Sequence, residues 1–216
     1  MTSSHAISMT HDTHLSSLLS LMSDFLSKNY WDSRYQNQEI SWDIGEVSAP
    51  LKAYFDQLTD PNLRVLIPGG GNSYEAVYLL EKGFKNITVV DFSETVTDSL
   101  RQKHLLLNVV CEDFFQHQGD YDLIVEQTFF CALDPSLRTQ YAPKMQQLLS
   151  ENGKLVGLFF DRIFVGGPPF GGSEAEYRVL LQPYFDIKIF EKATNSIPPR
   201  AGSELFLIAR QKTLKN

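Results

Sequence analysis

The sequence predicts an α/β fold with a seven-stranded, mostly parallel sheet, helices on both faces and an antiparallel last strand. Short apolar runs of strand character alternate with helical segments, which is typical of βαβ units. The last two runs, 184–192 and 203–212, have no helix between them, only a connection that contains Pro198, Pro199 and Gly202. This connection suits an antiparallel pair, so the overall architecture is expected to be Rossmann-like.

The first 28 residues are predicted to form a polar tail and a helical lid. Residues 1–14 are polar, and the apolar residues after them recur at helical spacing. These apolar residues are Leu15, Leu18, Leu19, Met22, Phe25 and Leu26. We expect an amphipathic N-terminal helix over 15–26 that closes over the rest of the chain. Residues 29–216 show no repeat and no linker, so we predict that they form a single domain.

The remaining elements follow from apolar runs and the residues that flank them. A second helix is expected to begin at either Asp43 or Ser48. Gly83 is the expected end of a helix over 73–82, and Ser93 is the expected N-cap of a helix over 93–103. Strands are predicted over 64–68, 86–91, 105–113, 121–127 and 154–160, and further helices over 135–149 and 174–181. The pair Asn152-Gly153 is the expected turn before the strand over 154–160.

Composition argues against several kinds of partner. The net charge of −7 on 216 residues repels a nucleic-acid backbone, and no run approaches the ~20 apolar residues of a membrane span. Cys111 and Cys131 form no CxxC pair and the histidines form no cluster, so neither a disulfide framework nor a metal site is expected. The N-terminus has no signal-peptide pattern. We therefore expect a cytoplasmic protein with a small-molecule partner and no nucleic-acid, membrane or obligate protein partner.

Three consecutive glycines follow the first predicted strand, in the stretch IPGGGNSYEA over 67–76. A Walker loop requires GxxxxGK[ST], and the dinucleotide pattern GxGxxG from Gly69 would require a glycine where Tyr74 stands. Neither phosphate loop therefore fits. Two interpretations stay open: a structural turn, or a turn at which Gly69 and Gly71 let a ligand approach the backbone.

Acidic residues end the next two predicted strands. Asp91, 20 residues after Gly71, can accept hydrogen bonds from both hydroxyls of an adenosine ribose, or it caps the next helix, a role that Ser93 already suits. Asp113 and Phe114 could bind adenine, or they lie in a solvent loop. An adenosine site without pyrophosphate glycines indicates a cofactor that lacks a diphosphate, and S-adenosylmethionine is the candidate.

Four stretches resemble the thiopurine methyltransferase superfamily of class I S-adenosylmethionine-dependent methyltransferases. They are WDSRYQNQEISWDIG (31–45), LIPGGGNSYEA (66–76), VEQTFFCALDPSLRTQYAPKMQQLL (125–149) and VGGPPF (165–170). A fifth, weaker match is IPPRAG (197–202). The stretches are most similar to those of the halide/thiol (thiocyanate) methyltransferases of plants and their bacterial relatives.

The resemblance implies that Trp31, Tyr35 and Trp42 approach the cofactor from the N-terminal segment. Aromatic faces attract a sulfonium cation by ~0.5–2 kcal/mol, whereas both tryptophans taken alone also fit ordinary packing. It further implies that the glycine turn, Asp91, the Asp113–Phe114 pair and Gln127 complete the cofactor site. Tyr35 stands where the plant proteins usually carry tryptophan, which is a mild departure.

The second departure lies close to the expected position of the transferred methyl group. Glu126-Gln127 stands where the plant proteins have Asp-Tyr and the thiopurine enzymes have Asp-Arg, which leaves the acceptor open. Phe129, Phe130 and Phe170 are expected beside this methyl group or in the core. We expect in-line displacement by a thiol, thiocyanate, bisulfide or halide. Such nucleophiles need no strong base, and Glu126 is the nearest base for an acceptor that does. The alternatives are a larger thiol, nitrogen or oxygen acceptor, and a non-catalytic S-adenosylmethionine-binding protein.

Overall fold

The structure is a computed structural model that describes residues 25–212. The predicted tail and most of the predicted N-terminal helix lie outside these residues. Phe25 and Leu26, the last two residues assigned to that helix, lie in a turn.

Seven strands form one sheet in the order β3-β2-β1-β4-β5-β7-β6. The strands are β1 Arg64–Pro68, β2 Asn86–Asp91, β3 Asn108–Cys111, β4 Tyr121–Gln127, β5 Leu149–Phe160, β6 Phe185–Lys192 and β7 Glu204–Gln211. Neighbouring strands are parallel except at β7, which runs antiparallel to both β5 and β6. The predicted mostly parallel sheet with an antiparallel last strand is confirmed.

Six α-helices and three 3₁₀ helices lie among the described residues. The α-helices are α1 Lys28–Gln36, α2 Ala49–Phe55, α3 Tyr74–Glu81, α4 Glu94–Lys103, α5 Arg138–Leu148 and α6 Glu174–Leu181. The 3₁₀ helices are Phe130–Ala132, Pro135–Leu137 and Pro198–Arg200. Across the part of the chain that the structure describes, no helix combines the length and the apolar character needed to cross a membrane.

Of the two predicted starts of the second helix, Ser48 is confirmed, and three other predicted boundaries are wrong, each for a local reason. Helix α2 follows Ser48, because the Asp43 carboxylate instead accepts the Gly45 N–H at 2.7 Å and closes a turn. Strand β3 is shorter than predicted, since its apolar start at 105–106 is exposed in a turn. Strand β5 already begins at Leu149, which pairs with Tyr121 of β4, so no turn separates it from α5. The helix predicted over 135–149 begins instead as the 3₁₀ helix Pro135–Leu137.

Two hydrophobic clusters cover the two faces of the sheet. One contains Tyr141 and Met145 of α5 and Tyr177 of α6, and the other contains Leu51 of α2 and Leu79 of α3. With both faces covered, the carboxyl ends of the strands remain open. Strand β1 lies between β2 and β4, so the chain order reverses between β1 and β4, which is where ligands bind in such sheets.

Candidate active site

A cavity of about 680 Å³ opens at the carboxyl ends of β1, β2, β3 and β4. Its walls come from the strand ends, from α1 and the segment that follows it, and from two loops near 160–169 and 199–200. All nine residues predicted to bind a cofactor line this cavity: Trp31, Tyr35, Trp42, Gly69, Gly71, Asp91, Asp113, Phe114 and Gln127. Of the four residues predicted for catalysis, only Phe129 lines it.

The glycine turn is in direct contact with aromatic rings. Gly69 and Gly71 have φ angles of +55° and +52°, which glycine adopts without steric cost. A Cβ atom on Gly69 would lie 2.1 Å from Cδ2 of Phe129, and one on Gly71 would lie 2.6 Å from the hydroxyl oxygen of Tyr35. The missing side chains therefore let two rings approach the backbone and form one wall with it.

Asp91 joins this turn to the start of α4. Its Oδ2 accepts the Gly71 N–H and its Oδ1 accepts the Ser93 N–H, both at 3.0 Å. Ser93 is also the N-cap, since its hydroxyl accepts the Val96 N–H. Burial raises the pKa of Asp91. Because each carboxylate oxygen has a second lone pair, Asp91 can accept further hydrogen bonds from a ligand in the cavity.

The aromatic segment continues this wall through edge-to-face contacts. The Trp42 ring lies 5.4 Å from the Trp31 ring and 5.9 Å from the Tyr35 ring, measured between centroids. Burial raises the pKa of Tyr35 well above its ordinary value, so its hydroxyl stays protonated.

Two residues that the sequence analysis missed hold this segment in place. Asp32 accepts hydrogen bonds from the Ser93 hydroxyl at 2.6 Å and from the Thr95 N–H at 3.1 Å, which docks α1 on the start of α4. Arg200 donates from Nη2 to the Trp42 carbonyl at 2.6 Å. The matched stretch IPPRAG marked the position of Arg200, but no pattern in the sequence indicated either contact.

Arg200 also places a buried positive charge in the cavity wall. Its side chain lies 3.3 Å from the Glu204 carboxylate and over the Phe160 ring, with 5.5 Å between guanidinium carbon and ring centroid. These contacts fix the guanidinium, but Glu204 and the Trp42 carbonyl do not use all five of its N–H donors.

Gln127 contributes an acceptor without a partner. Its Oε1 is buried at the cavity wall and accepts no hydrogen bond in the structure. A buried acceptor of this kind is costly unless a ligand supplies a donor. An adenosylated amino acid has such donors in its ammonium and ribose hydroxyl groups. The combination of Asp91, aromatic faces and an unpaired amide oxygen therefore fits S-adenosylmethionine.

Phe130 and Phe170 do not occupy the expected acceptor wall. Phe130 packs in the core, where its ring centroid lies 4.8 Å from that of Tyr141 and 5.4 Å from that of Tyr177. The Phe170 N–H binds the Cys131 carbonyl at 2.6 Å, and its ring lies under Gly167 instead of facing the cavity. Neighbouring residues line the cavity instead: Phe160, Phe164, Pro168 and Pro169.

Glu126 lies beneath the cavity and not in it. Its side chain is fully buried; Oε1 accepts the Phe129 and Phe130 N–H groups at 2.9 Å each, and Oε2 accepts the Tyr141 hydroxyl at 2.7 Å. Burial raises its pKa to about 7. The expected role as a general base has no geometric support, because the carboxylate is enclosed and does not reach the cavity.

Comparison with known proteins gives consistent matches. The sequence model of the family described as Thiopurine S-methyltransferase (TPMT) matches residues 26–206. The chain is 30% identical to Probable thiol methyltransferase 2 of Arabidopsis thaliana, over 89% of this chain and 90% of that protein. It is 25% identical to the Thiopurine S-methyltransferase of Azotobacter vinelandii, over 77% and 87% of the two chains.

Solved structures share the fold at lower sequence identity. The 1,6-didemethyltoxoflavin-N1-methyltransferase of Burkholderia thailandensis, with bound S-adenosylhomocysteine, superposes with a TM-score of 0.67 at 18% identity, over 87% of this chain and 88% of that one. The magnesium protoporphyrin IX methyltransferase of Synechocystis PCC 6803, with bound SAH, gives a TM-score of 0.64 at 17% identity, over 88% and 97%. These likenesses show the fold.

Proposed function

The chain belongs to the thiopurine S-methyltransferase family, and from this membership we propose that it methylates a small soft nucleophile (a thiol, thiocyanate, bisulfide or halide) by in-line displacement. It is an S-adenosylmethionine-dependent methyltransferase. The observation that carries the proposed acceptor class is the acceptor wall, the part of the cavity beyond β4 that aromatic and proline side chains line together with the buried Arg200.

In this proposal, different residues of the cavity bind different parts of S-adenosylmethionine. We assign the ribose hydroxyls to Asp91 and the adenine to the Asp113–Phe114 pair, which is supported by their position in the cavity lining at successive strand ends. We assign the ammonium group of the amino-acid end to Gln127, which is supported by the unpaired oxygen of its side chain. Trp31, Tyr35 and Trp42 present aromatic surfaces to the positive charge. When bound, the cofactor supplies an electrophilic methyl group on a sulfonium sulfur.

The acceptor wall suits a nucleophile that is already an anion. The guanidinium of Arg200 offers an anion the N–H donors that Glu204 and Trp42 leave unused, while Phe129, Phe160 and the prolines add apolar surface that excludes water. An anion that attacks a cation loses charge in the transition state, so a dry wall favours the transition state over the solvated ions. The walls also orient the acceptor toward the methyl group, which lowers the barrier further, and no general base is required.

A panel of acceptors tests the proposal. The enzyme is incubated with labelled S-adenosylmethionine and iodide, thiocyanate, sulfide, an aryl thiol or an aryl amine. We expect volatile methylated products from at least one of the small anions, and their rates should exceed the rate with the amine. Transfer only to the aryl thiol or the amine would replace the proposed acceptor class with a larger one. Cofactor binding without transfer to any acceptor would contradict a catalytic role on this panel.

Replacing Trp42 separates cation binding from packing. Because an aromatic face attracts the sulfonium by ~0.5–2 kcal/mol, Trp42→Ala should weaken S-adenosylmethionine about 2- to 30-fold more than it weakens neutral S-adenosylhomocysteine. Calorimetric titration with both ligands measures this ratio. Trp42→Phe is the matched control, since it keeps an aromatic face and the backbone carbonyl that Arg200 binds. Equal losses for the two ligands would show that Trp42 only packs.

A further inference from the structure

The turn that follows β4 is strained. Thr128 has a φ angle of +57°, in the left-handed region that β-branched residues rarely adopt. It lies between Gln127 and Phe129, and all three residues line the cavity. Such strained residues persist only where the surrounding structure holds them, and they concentrate at functional sites.

Glu126 spans this turn from below. One oxygen of its carboxylate, Oε1, receives the N–H groups of both Phe129 and Phe130, so the side chain before the strained residue binds the backbone after it. The other oxygen, Oε2, is held by the hydroxyl of Tyr141 on α5. The carboxylate is thus fixed on both sides by three hydrogen bonds, and Glu126 itself does not line the cavity.

The opposite strand makes room for this arrangement. Gly157 of β5 pairs with Glu126 across the sheet, and a Cβ atom at Gly157 would lie 2.3 Å from Cβ of Glu126. The titratable groups that face the carboxylate are the Tyr141 hydroxyl and the Cys131 thiol, and no cation pairs with it among the described residues. A buried carboxylate without a cationic partner is expensive, which indicates a function beyond filling space.

We infer that Glu126 is a positioning residue for methyl transfer: it holds the turn at Thr128 so that Gln127 and Phe129 face the reacting groups. This inference rests on the proposed function. It assigns Glu126 no contact with cofactor or acceptor. The carboxylate oxygen accepts hydrogen bonds from backbone N–H groups, so the geometry of these bonds matters for the role. The ability of the carboxylate to take a proton from the methyl acceptor does not matter.

Three variants test the inference with the full-length enzyme. Glu126→Gln keeps an oxygen for the Phe129 and Phe130 N–H groups, so we expect kcat within about 3-fold of wild type. Glu126→Ala removes that oxygen, and we expect kcat to fall about 10- to 100-fold, since small misplacements of positioned groups are costly. In Glu126→Ala/Thr128→Gly, glycine adopts the left-handed conformation without strain, so we expect about 5-fold recovery of kcat over the single variant.

The choice of acceptor distinguishes positioning from proton transfer. Iodide carries no proton, whereas an aryl thiol does, so a positioning role predicts that Glu126→Ala lowers kcat for both by the same factor. Activity of Glu126→Gln with iodide but not with the thiol would overturn the inference in favour of a general base. A folded Glu126→Ala enzyme with wild-type kcat for both acceptors would also overturn it. If Glu126→Ala does not fold, Tyr141→Phe, which removes only the bond to Oε2, should reduce kcat for both acceptors equally.

Amide hydrogen exchange separates this inference from the proposed function. The Phe129 and Phe130 amides should exchange at least about 10-fold faster in Glu126→Ala than in wild type, because they lose their acceptor, and should stay protected in Glu126→Gln. This holds whether or not a methyl acceptor has been found. Unchanged protection in Glu126→Ala would overturn the positioning role, whereas a failure of every acceptor would overturn only the proposed function.

Discussion

Asp91→Ala is expected to weaken S-adenosylmethionine binding about 100-fold or more. A carboxylate that accepts from two ribose hydroxyls contributes ~1.5–3 kcal/mol per charge-assisted hydrogen bond, and alanine replaces neither bond. The substitution also removes the acceptors of the Gly71 and Ser93 N–H groups, which loosens the glycine turn. Calorimetric titration measures the affinity, and thermal unfolding of the ligand-free enzyme measures the cost to the fold.

Two further variants separate these contributions. Asp91→Asn keeps one acceptor oxygen and the shape of the side chain, so its affinity should fall between those of wild type and Asp91→Ala. Ser93→Ala removes the hydroxyl that caps α4 and binds Asp32, but leaves the Asp91 carboxylate, so it should lower stability more than affinity. Unchanged affinity in Asp91→Ala would mean that the ribose lies elsewhere in the cavity.

Glu126→Gln should stabilise the protein at alkaline pH. The pKa of Glu126 is raised from 4.5 to about 7 by burial. Between these values the unfolded chain has released the proton that the native chain retains, so the free energy of unfolding falls as the pH rises through this window and levels off above it. Glutamine does not titrate and escapes this loss. We expect its advantage over wild type to grow by roughly 2–3 kcal/mol between pH 5 and pH 8.

Urea unfolding of both proteins at pH 5 and pH 8 measures this difference. Two titratable groups face Glu126: the Tyr141 hydroxyl and the Cys131 thiol. Burial raises the pKa of both groups, so they stay neutral across this range. Glu151→Gln, which alters an exposed carboxylate, is the matched control. Its free energy of unfolding should differ from that of wild type by the same amount at pH 5 and at pH 8. A pH-independent difference between Glu126→Gln and wild type would show that this carboxylate titrates near its ordinary value.

The cavity lining at the ends of β1, β2 and β3 was predictable, because the position of each strand end can be read from the sequence. Gly69, Asp91 and Asp113 each follow a recognisable apolar run, and a parallel sheet brings the ends of such runs to one edge. The cavity lining after β4 was not predictable in the same way. The left-handed turn at Thr128 sends Phe129 to the cavity and Phe130 to the core, and nothing in the letters TFF indicates this reversal.

Contacts distant in sequence were also beyond prediction. Arg200 binds the backbone of Trp42 across 158 residues, and the Ser93 hydroxyl binds Asp32 across 61. Each joins two segments whose local patterns are complete without the contact. The exposed residues Leu105 and Leu106 led to an error of another kind. Their apolar character alone made the predicted strand longer than β3.

The position of β7 has a consequence for biosynthesis. Because β7 is inserted between β5 and β6, a nascent chain released only as far as β6 has an open edge on β5 and no neighbour for β6. It also lacks the Glu204 partner of Arg200, whose guanidinium fixes the Trp42 backbone. The aromatic wall thus becomes fully braced only after the last hairpin has left the ribosome. The sheet is therefore expected to complete its pairing only once β7 has been made, and the unpaired β5 edge is open to aggregation until then.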